Sequence, residues 1–347
     1  MTVGQTIPVS VDRSGRGPAI SAGPSTRPVV GSGLGFALAS AAAFGSSGPF
    51  AKSLLEAGWS PAAAVTARIL VAALVLLAPS FVVLRGRWHL LRRNAILLVT
   101  YGVVAVAAVQ LAFFTAVSTL SVGVALLLEY SGVVLVVFWL WARHGQRPRR
   151  WTVVGIVLAV FGLALVLDVV GGMRMDGVGV LWALGAAVGL AVFFVLSARA
   201  ETGLPPIVMA AGGLLVGGVA LFIAGIAGVV AMTATTVDVE LGGRVLPWWV
   251  PVAGLSLVAA AVAYTFGVAA TRRLGSKVAS FVALSEVLFS LLFTWLLLGE
   301  LPLAVQLLGG AFVVAGVVAV RYDEMTRPDE APDTYQHTTP TPFSSEP

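Results

Sequence analysis

Apolar residues fall in ten long runs along the chain, at 33–54, 61–84, 95–116, 119–142, 151–170, 177–198, 205–231, 247–270, 276–298 and 302–321. A helix that crosses a bilayer needs about 20 mostly apolar residues. Each run has that length and is apolar around its whole circumference. A membrane β-barrel would show segments of about 10 residues with alternating polar and apolar positions. A helix also closes its own backbone hydrogen bonds, as the lipid interior demands. The pattern predicts an all-α polytopic membrane protein with ten transmembrane helices. Most connections are short, and no soluble domain fits between the spans.

Composition narrows the class further. Of 347 residues, 58% are hydrophobic and 11% charged, against about 25% charged in an ordinary soluble domain. There is no cysteine, which removes a disulfide scaffold, cysteine zinc sites and thiol nucleophiles. The three histidines, His89, His144 and His337, all fall outside or at the ends of the runs. No metal and no cofactor are therefore expected. Residues 1–31 are rich in Gly, Pro, Ser and Arg without an apolar run, and read as a disordered tail rather than a signal peptide. Residues 322–347 hold six acids among Pro and Thr and read as a disordered acidic tail.

Charge sets the orientation, because cytoplasmic loops collect Lys and Arg. Arg85, Arg87, Arg92 and Arg93 follow the second run, Arg143, Arg147, Arg149 and Arg150 the fourth, Arg199 the sixth, and Arg272, Arg273 and Lys277 the eighth. The odd-numbered runs are followed by little: Lys52, Arg174 and Arg244. Both termini are expected to be cytoplasmic. The net charge of +5 is thus a topology signal rather than a sign of nucleic-acid binding. The 19 arginines against 2 lysines suggest a GC-rich bacterial gene and so a plasma membrane.

The chain also repeats itself. At an offset of 154 residues, Trp141, Gly145, Gly155 and Gly162 meet Trp295, Gly299, Gly309 and Gly316, and Ala116, Leu120, Val124 and Ala125 meet Ala270, Leu274, Val278 and Ala279. At an offset near 144, Gly35, Gly45, Phe50 and Pro61 meet Gly179, Gly189, Phe194 and Pro205. The repeat unit is five runs, residues 32–170 and 171–321. Five is odd, so the second copy enters the membrane from the opposite side. The uncharged loop 117–122 and its mate 271–276, which carries Arg272 and Arg273, fit that inversion. Inverted repeats are a hallmark of secondary transporters, whose substrate site lies near the midplane between them.

These residues resemble a known family. Phe44-Gly45 with Lys52, Arg68 early in the second run, Thr271-Arg-Arg-Leu-Gly275, Trp295-Leu-Leu-Leu-Gly-Glu300 and the glycine pairs of the fifth and tenth runs are similar to the drug/metabolite transporter superfamily, and within it to the EamA family of bacterial permeases. The resemblance covers residues 33–321. It implies a cavity lined by helices of both halves, with the fifth and tenth spans peripheral, and transport, often export, of amino acids or other small metabolites. Val133 and Val287 stand where the family often has proline, which removes that reason to expect kinks there. Gln146 replaces a glutamate of the first Gly-Glu pair.

Polar groups inside a membrane are costly and mark functional candidates. Glu129 and Glu286 each lie about ten residues into a span, near mid-membrane at about 1.5 Å per residue. Glu129 aligns with Ala283 and Glu286 with Gly132, three residues from the other carboxylate in each case, so the two acids share equivalent helix faces. Such a carboxylate can carry a proton, bind a substrate ammonium, or bond a neighbouring helix as structural glue. Arg68 can pair with either acid, hold a substrate carboxylate through its fork of donors, or snorkel to the outer interface; Lys52 fits snorkelling. Gln110 and Tyr264 are strict repeat mates, and Tyr130 and Ser285 adjoin the two glutamates; these complete the candidate substrate-binding or proton-coupling set. Trp139, Trp141, Trp151, Trp248, Trp249 and Trp295 lie at span ends as interface anchors. Gly185-x-x-x-Gly189, Gly213-x-x-x-Gly217 and the glycines of the fifth and tenth runs serve close helix packing, with a homodimer through those two spans as the alternative use.

Other classes fail on what is missing. There is no Gly-x-x-x-x-Gly-Lys-Ser/Thr for a nucleotide-driven pump, no ladder of arginines in one span, and no catalytic cluster. The reading is a non-enzymatic carrier that exports small polar metabolites, plausibly amino acids, by alternating access with proton coupling. The alternatives are an uptake or exchange carrier and, from another class, a channel.

Overall fold

A computed structural model describes residues 27–117, 120, 122–145, 148–166, 176–298 and 303–326. Gln146, Arg147, Arg174, Gly299, Glu300 and most of both tails lie outside the described residues. The first apolar run forms α1 (Arg27–Gly45) and α2 (Ser47–Glu56), and the second α3 (Pro61–Leu84). A short α4 (His89–Arg93) leads to α5 (Ala95–Thr100), a π-helical segment Tyr101–Ala108 and α6 (Val109–Val117). Then come α7 (Val122–Tyr130), α8 (Gly132–His144), α9 (Arg150–Val166), α10 (Gly177–Ser197) and α11 (Pro206–Ile226). Two strands, β1 (Val239–Leu241) and β2 (Arg244–Leu246), precede α12 (Trp249–Ala253), a second π-helical segment Gly254–Val262 and α13 (Ala263–Ala283). The described chain closes with α14 (Ser285–Leu298) and α15 (Ala304–Met325).

Eight helical stretches among the described residues are long and apolar enough to cross a membrane, and Arg150–Leu165 and Ser285–Leu297 are shorter apolar helices. One of the eight, Trp249–Ala283, turns a corner at Gly275, whose φ of 78° and ψ of 162° suit glycine alone among the residues. The outer surface is apolar: Ile96 is 85% and Leu181 71% exposed. In water such a surface would aggregate; in lipid it is the expected face.

Glycines set the closest helix contacts. A Cβ on Gly155 would meet the Gly316 carbonyl at 2.9 Å, one on Gly316 the Gly155 carbonyl at 2.8 Å, and one on Gly162 the Gly309 carbonyl at 2.5 Å. The glycine faces of α9 and α15 are therefore used against each other inside the chain. Residues 155 and 162 are the 154-offset mates of 309 and 316, so the reciprocal contacts follow a two-fold pattern. The π-helical segments also fall at matching positions: 101–108 plus the offset gives 255–262.

Both spans that carry the glutamates break, although neither has a proline there. The breaks fall at Ser131 and Leu284, between α7 and α8 and between α13 and α14. Ser131 Oγ donates to the Leu128 carbonyl at 2.6 Å, and Ser285 Oγ to the Val282 carbonyl at 2.6 Å. A serine that bonds back to its own helix competes with the backbone ladder and bends it. Valine at 133 and 287 thus does not straighten these helices, because the repeat-mated serines supply the bend.

Three expectations change. The chain is not purely helical, since β1 and β2 form an antiparallel hairpin. Gly242 (φ 62°) and Gly243 (φ 71°) supply the left-handed pair that a two-residue hairpin turn requires. The seventh span ends at Ile226, so the connection to the eighth is longer than the apolar run suggested. It caps one end of the bundle: Val239 is buried against Leu54, Trp59 and Val252, Trp59 Nε1 donates to the Thr235 carbonyl at 2.9 Å, and Ser60 Oγ donates to the Ala231 carbonyl at 2.7 Å. Trp248 joins this cap, 5.9 Å from the Trp59 ring, whereas Trp139, Trp141, Trp151, Trp249 and Trp295 are exposed. Finally, helix reaches into both expected tails. α1 starts at Arg27, and α15 continues through Asp323, which is 4% exposed. Its carboxylate accepts from Thr152 Oγ1 at 2.6 Å and pairs with Lys277 at 3.2 Å, which is why this acid sits in a helix rather than in solvent.

Candidate functional site: two cavities that share a polar wall

Residues of α1, the third span, α7, α10, α13 and α14 enclose the first of two cavities, and all of these but α10 and α13, together with α2 and α3, the second. The first is lined by Ser40, Phe44, Phe193, Tyr130, Tyr264 and Thr271 among others. The second is lined by Ser47, Gly48, Arg68, Phe113, Phe114 and Ser290 among others. Four residues belong to both: Phe44, Gln110, Glu129 and Glu286. They form one wall with a cavity on each side.

Helix direction gives the two cavities opposite ends. Along α1 and α2, Ala37 and Ser40 serve the first cavity and Ser47 and Gly48 the second, with Phe44 between. Along α13 and α14, Ala279 and Ala283 serve the first, Ser290 the second, and Glu286 both. The shared wall is thus crossed in the same order on two helices.

Glu129 and Glu286 are half-buried, their exposed parts opening onto the cavities. Tyr130 and Glu286 line the first cavity together. Backbone contact fixes Glu286 tightly: a Cβ on Gly45 would meet the Glu286 carbonyl, Phe289 Cβ and the Ser290 nitrogen, each at 2.8 Å.

Arg68 is 4% exposed and does not snorkel. The N-cap at Ser60 and Pro61 starts α3 so that Arg68 faces inward two turns later. Its Nη2 donates to the Ala259 carbonyl at 2.5 Å and its Nη1 to Gln110 Oε1 at 3.5 Å. Its Nε is buried without a hydrogen-bond partner among the described residues. The Ala259 carbonyl lies in the second π-helical segment, where the widened turn loosens the backbone ladder. Gln110 in turn donates from Nε2 to Tyr264 Oη at 3.1 Å. The Phe44 ring packs between these groups, 5.8 Å from the Arg68 guanidinium and 5.1 Å from the Tyr264 ring. Glu129, Glu286 and Tyr264 all act electrostatically on Arg68, and none forms an ion pair with it among the described residues.

Six of the seven sequence candidates, Glu129, Glu286, Arg68, Gln110, Tyr264 and Tyr130, line one or both cavities. Ser285 lines neither; its hydroxyl bonds the Val282 carbonyl and shapes the bend instead. Phe44, Ser40, Phe193 and Thr271 were not singled out as lining residues. Ser40 and Phe44 are four apart and share a helix face, a signal present in the sequence. Phe193 gives none, because an aromatic residue in an apolar helix is usually packing. No group of acids and histidines suited to a metal ion occurs among the described residues.

Comparison with known proteins places this architecture. No curated protein matches the sequence. A solved structure titled only "Crystal structure of protein" superposes with a TM-score of 0.66 at 18% identity, covering 86% of this chain and 99% of that one; at that identity it speaks for the fold alone. The family model of the EamA-like transporter family matches twice, over residues 31–168 and 177–322, which is the doubled unit of the sequence. The chain belongs to the EamA-like transporter family, a membrane-transporter family of the drug/metabolite transporter superfamily.

Proposed function

We propose that this transporter is a proton-coupled exporter of small polar metabolites, amino acids in particular, built of ten spans as two inverted five-span repeats. Both termini face the cytoplasm of a bacterial cell and the protein sits in its plasma membrane. The observation that carries the reading is the shared wall. Glu129, Glu286, Gln110 and Phe44 border both cavities, as alternating access requires of a site reached from each side in turn.

The chemistry of the wall fits a zwitterion. Arg68 offers a buried, partly unfilled donor fork for a carboxylate. The two glutamates outnumber it, so one negative charge is left for a proton or a substrate ammonium, which compete for it. Export against a gradient then follows if a proton enters from outside as the substrate leaves. The reciprocal glycine contacts of α9 and α15 and the matched π-helical segments support the inverted repeat, and the arginine-rich even-numbered connections support the orientation. The glycine faces being filled from within the chain gives no support to a dimer through them.

The test is flux in proteoliposomes with an imposed pH gradient and a panel of amino acids. Acceleration by substrate on the trans side is expected. Flux that ignores trans substrate fits a channel and would contradict the proposal; inward-only flux would fit an uptake carrier.

A further inference from the structure

Five arginines gather at the corner where α3 passes into α5. Residues 85–94 and the turn 199–204 hold Arg85, Arg87, Arg92, Arg93 and Arg199 against one acid, Glu201. All five are exposed. None of their side chains makes an ion pair or a hydrogen bond among the described residues.

The local fold fixes them in one place. Gly86 (φ 74°) turns the chain at the end of α3, and the Arg87 nitrogen donates to the Leu84 carbonyl at 2.7 Å. Leu90 and Leu91 then pack α4 against the core, which leaves Trp88, His89, Arg92 and Arg93 exposed. Asn94 joins the two segments. Its Nδ2 donates to the Leu90 carbonyl at 2.9 Å and to the Thr202 carbonyl at 3.1 Å, and Thr202 Oγ1 donates back to the Arg199 carbonyl at 3.1 Å. Arg199 therefore belongs to the same corner as α4.

The corner lies at the edge of the lipid face. Phe81 and Val82, in the last turn of α3, and Ile96, in the first turn of α5, are exposed apolar residues, so the arginines begin where the apolar surface stops. Trp88 is exposed beside Phe81, with ring centroids 5.2 Å apart. An indole at such a boundary sits at headgroup level. Unpaired arginines at that depth meet phosphate oxygens, which the guanidinium fork matches two at a time, and basic clusters beside a spanning helix attract anionic headgroups. At the other end of the bundle the connection 227–248 carries Asp238 and Glu240 against Arg244, so the positive excess belongs to one leaflet.

We propose that this corner is a binding site for an anionic phospholipid, with the arginines around its phosphate and Trp88 at the start of its acyl chains. The occupant is a lipid of the surrounding bilayer rather than free phosphate, because the apolar flank of Phe81, Val82 and Ile96 needs chains to cover it. The site stands apart from the two cavities and does not depend on the transport reading. Arg149 and Arg150 give the contrast. They are exposed at the same end of the bundle, but at the start of α9, where Trp151 packs on Tyr322 of α15, and they have no part in the corner.

The test titrates the full-length protein in detergent micelles with dioleoylphosphatidylglycerol. Dioleoylphosphatidylcholine is the neutral reference, and inorganic phosphate supplies the headgroup chemistry without chains. Native mass spectrometry counts the lipid retained. The anionic lipid is expected to half-saturate at a concentration about fivefold or more below that of the neutral one. Arg92→Gln with Arg93→Gln should bring this preference below about twofold, and Arg149→Gln with Arg150→Gln should keep it. Arg199→Gln should reduce it as well, and carries the test if gel filtration shows the double variant misfolded. A preference kept by the corner variants, or lost equally in the α9 control, means a diffuse positive end and overturns the proposal. Equal retention of the two lipids, or displacement of the anionic lipid by inorganic phosphate at matching concentration, overturns it too.

Discussion

Gln110 and Tyr264 occupy the same position in the two halves of the chain, and their side chains hydrogen-bond each other at 3.1 Å. The bond therefore joins the repeats at their common centre. Because Gln110 also accepts from Arg68, one amide holds the buried arginine and the tyrosine in register. Tyr264→Phe removes the acceptor for Gln110 while keeping the ring that packs on Phe44. A neutral hydrogen bond is worth about 1 kcal/mol, or roughly a fivefold change in an equilibrium constant. Half-saturating substrate in counterflow should rise by about that factor, with the protein folding normally.

Arg68 should not be replaceable by lysine. A lysine ammonium is a point charge that cannot span the Ala259 carbonyl and Gln110 as the planar fork does. Arg68→Lys and Arg68→Gln are both expected to lower flux at least tenfold. Gel filtration of the purified variants separates this loss from misfolding, and a lysine variant with wild-type flux would show that charge alone suffices.

Gly45 sets the distance between the first span and Glu286. Any Cβ there presses on backbone atoms at 2.8 Å, which cannot swing aside. Overpacking of this kind costs about 1–3 kcal/mol. Gly45→Val should lower both the unfolding midpoint and flux, whereas Gly35→Ala, with nothing within 4 Å of its added methyl, should change neither.

The Lys277–Asp323 pair ties the start of the ninth apolar run to the end of α15, with Thr152 of α9 as third partner. Asp323→Asn takes the charge out of both contacts and should lower thermal stability by about 1.5–3 kcal/mol, read as a fall in the melting midpoint.

Much of this was legible in the residues. Run length gave the helices, the 154-residue offset gave the pairing of Gln110 with Tyr264, and the cost of charge in lipid picked out Glu129, Glu286 and Arg68. The misses have physical causes. The hairpin at 239–246 has strands of three residues, too short for an alternating pattern to register, although Gly242-Gly243 carried its turn. The bends were tied to proline, when serine back-bonding at Ser131 and Ser285 does the same work. Asp323 was assigned to an acidic tail because its partners, Thr152 and Lys277, are remote in sequence.

The central claim is that the two carboxylates on the shared wall couple substrate to protons. It is tested most directly by counterflow and pH-gradient-driven flux of the best amino acid of the panel, in proteoliposomes holding Glu129→Gln with Glu286→Gln. The account predicts that gradient-driven accumulation is abolished and that any residual exchange no longer responds to pH. Accumulation at the wild-type level, still driven by the proton gradient, would contradict it.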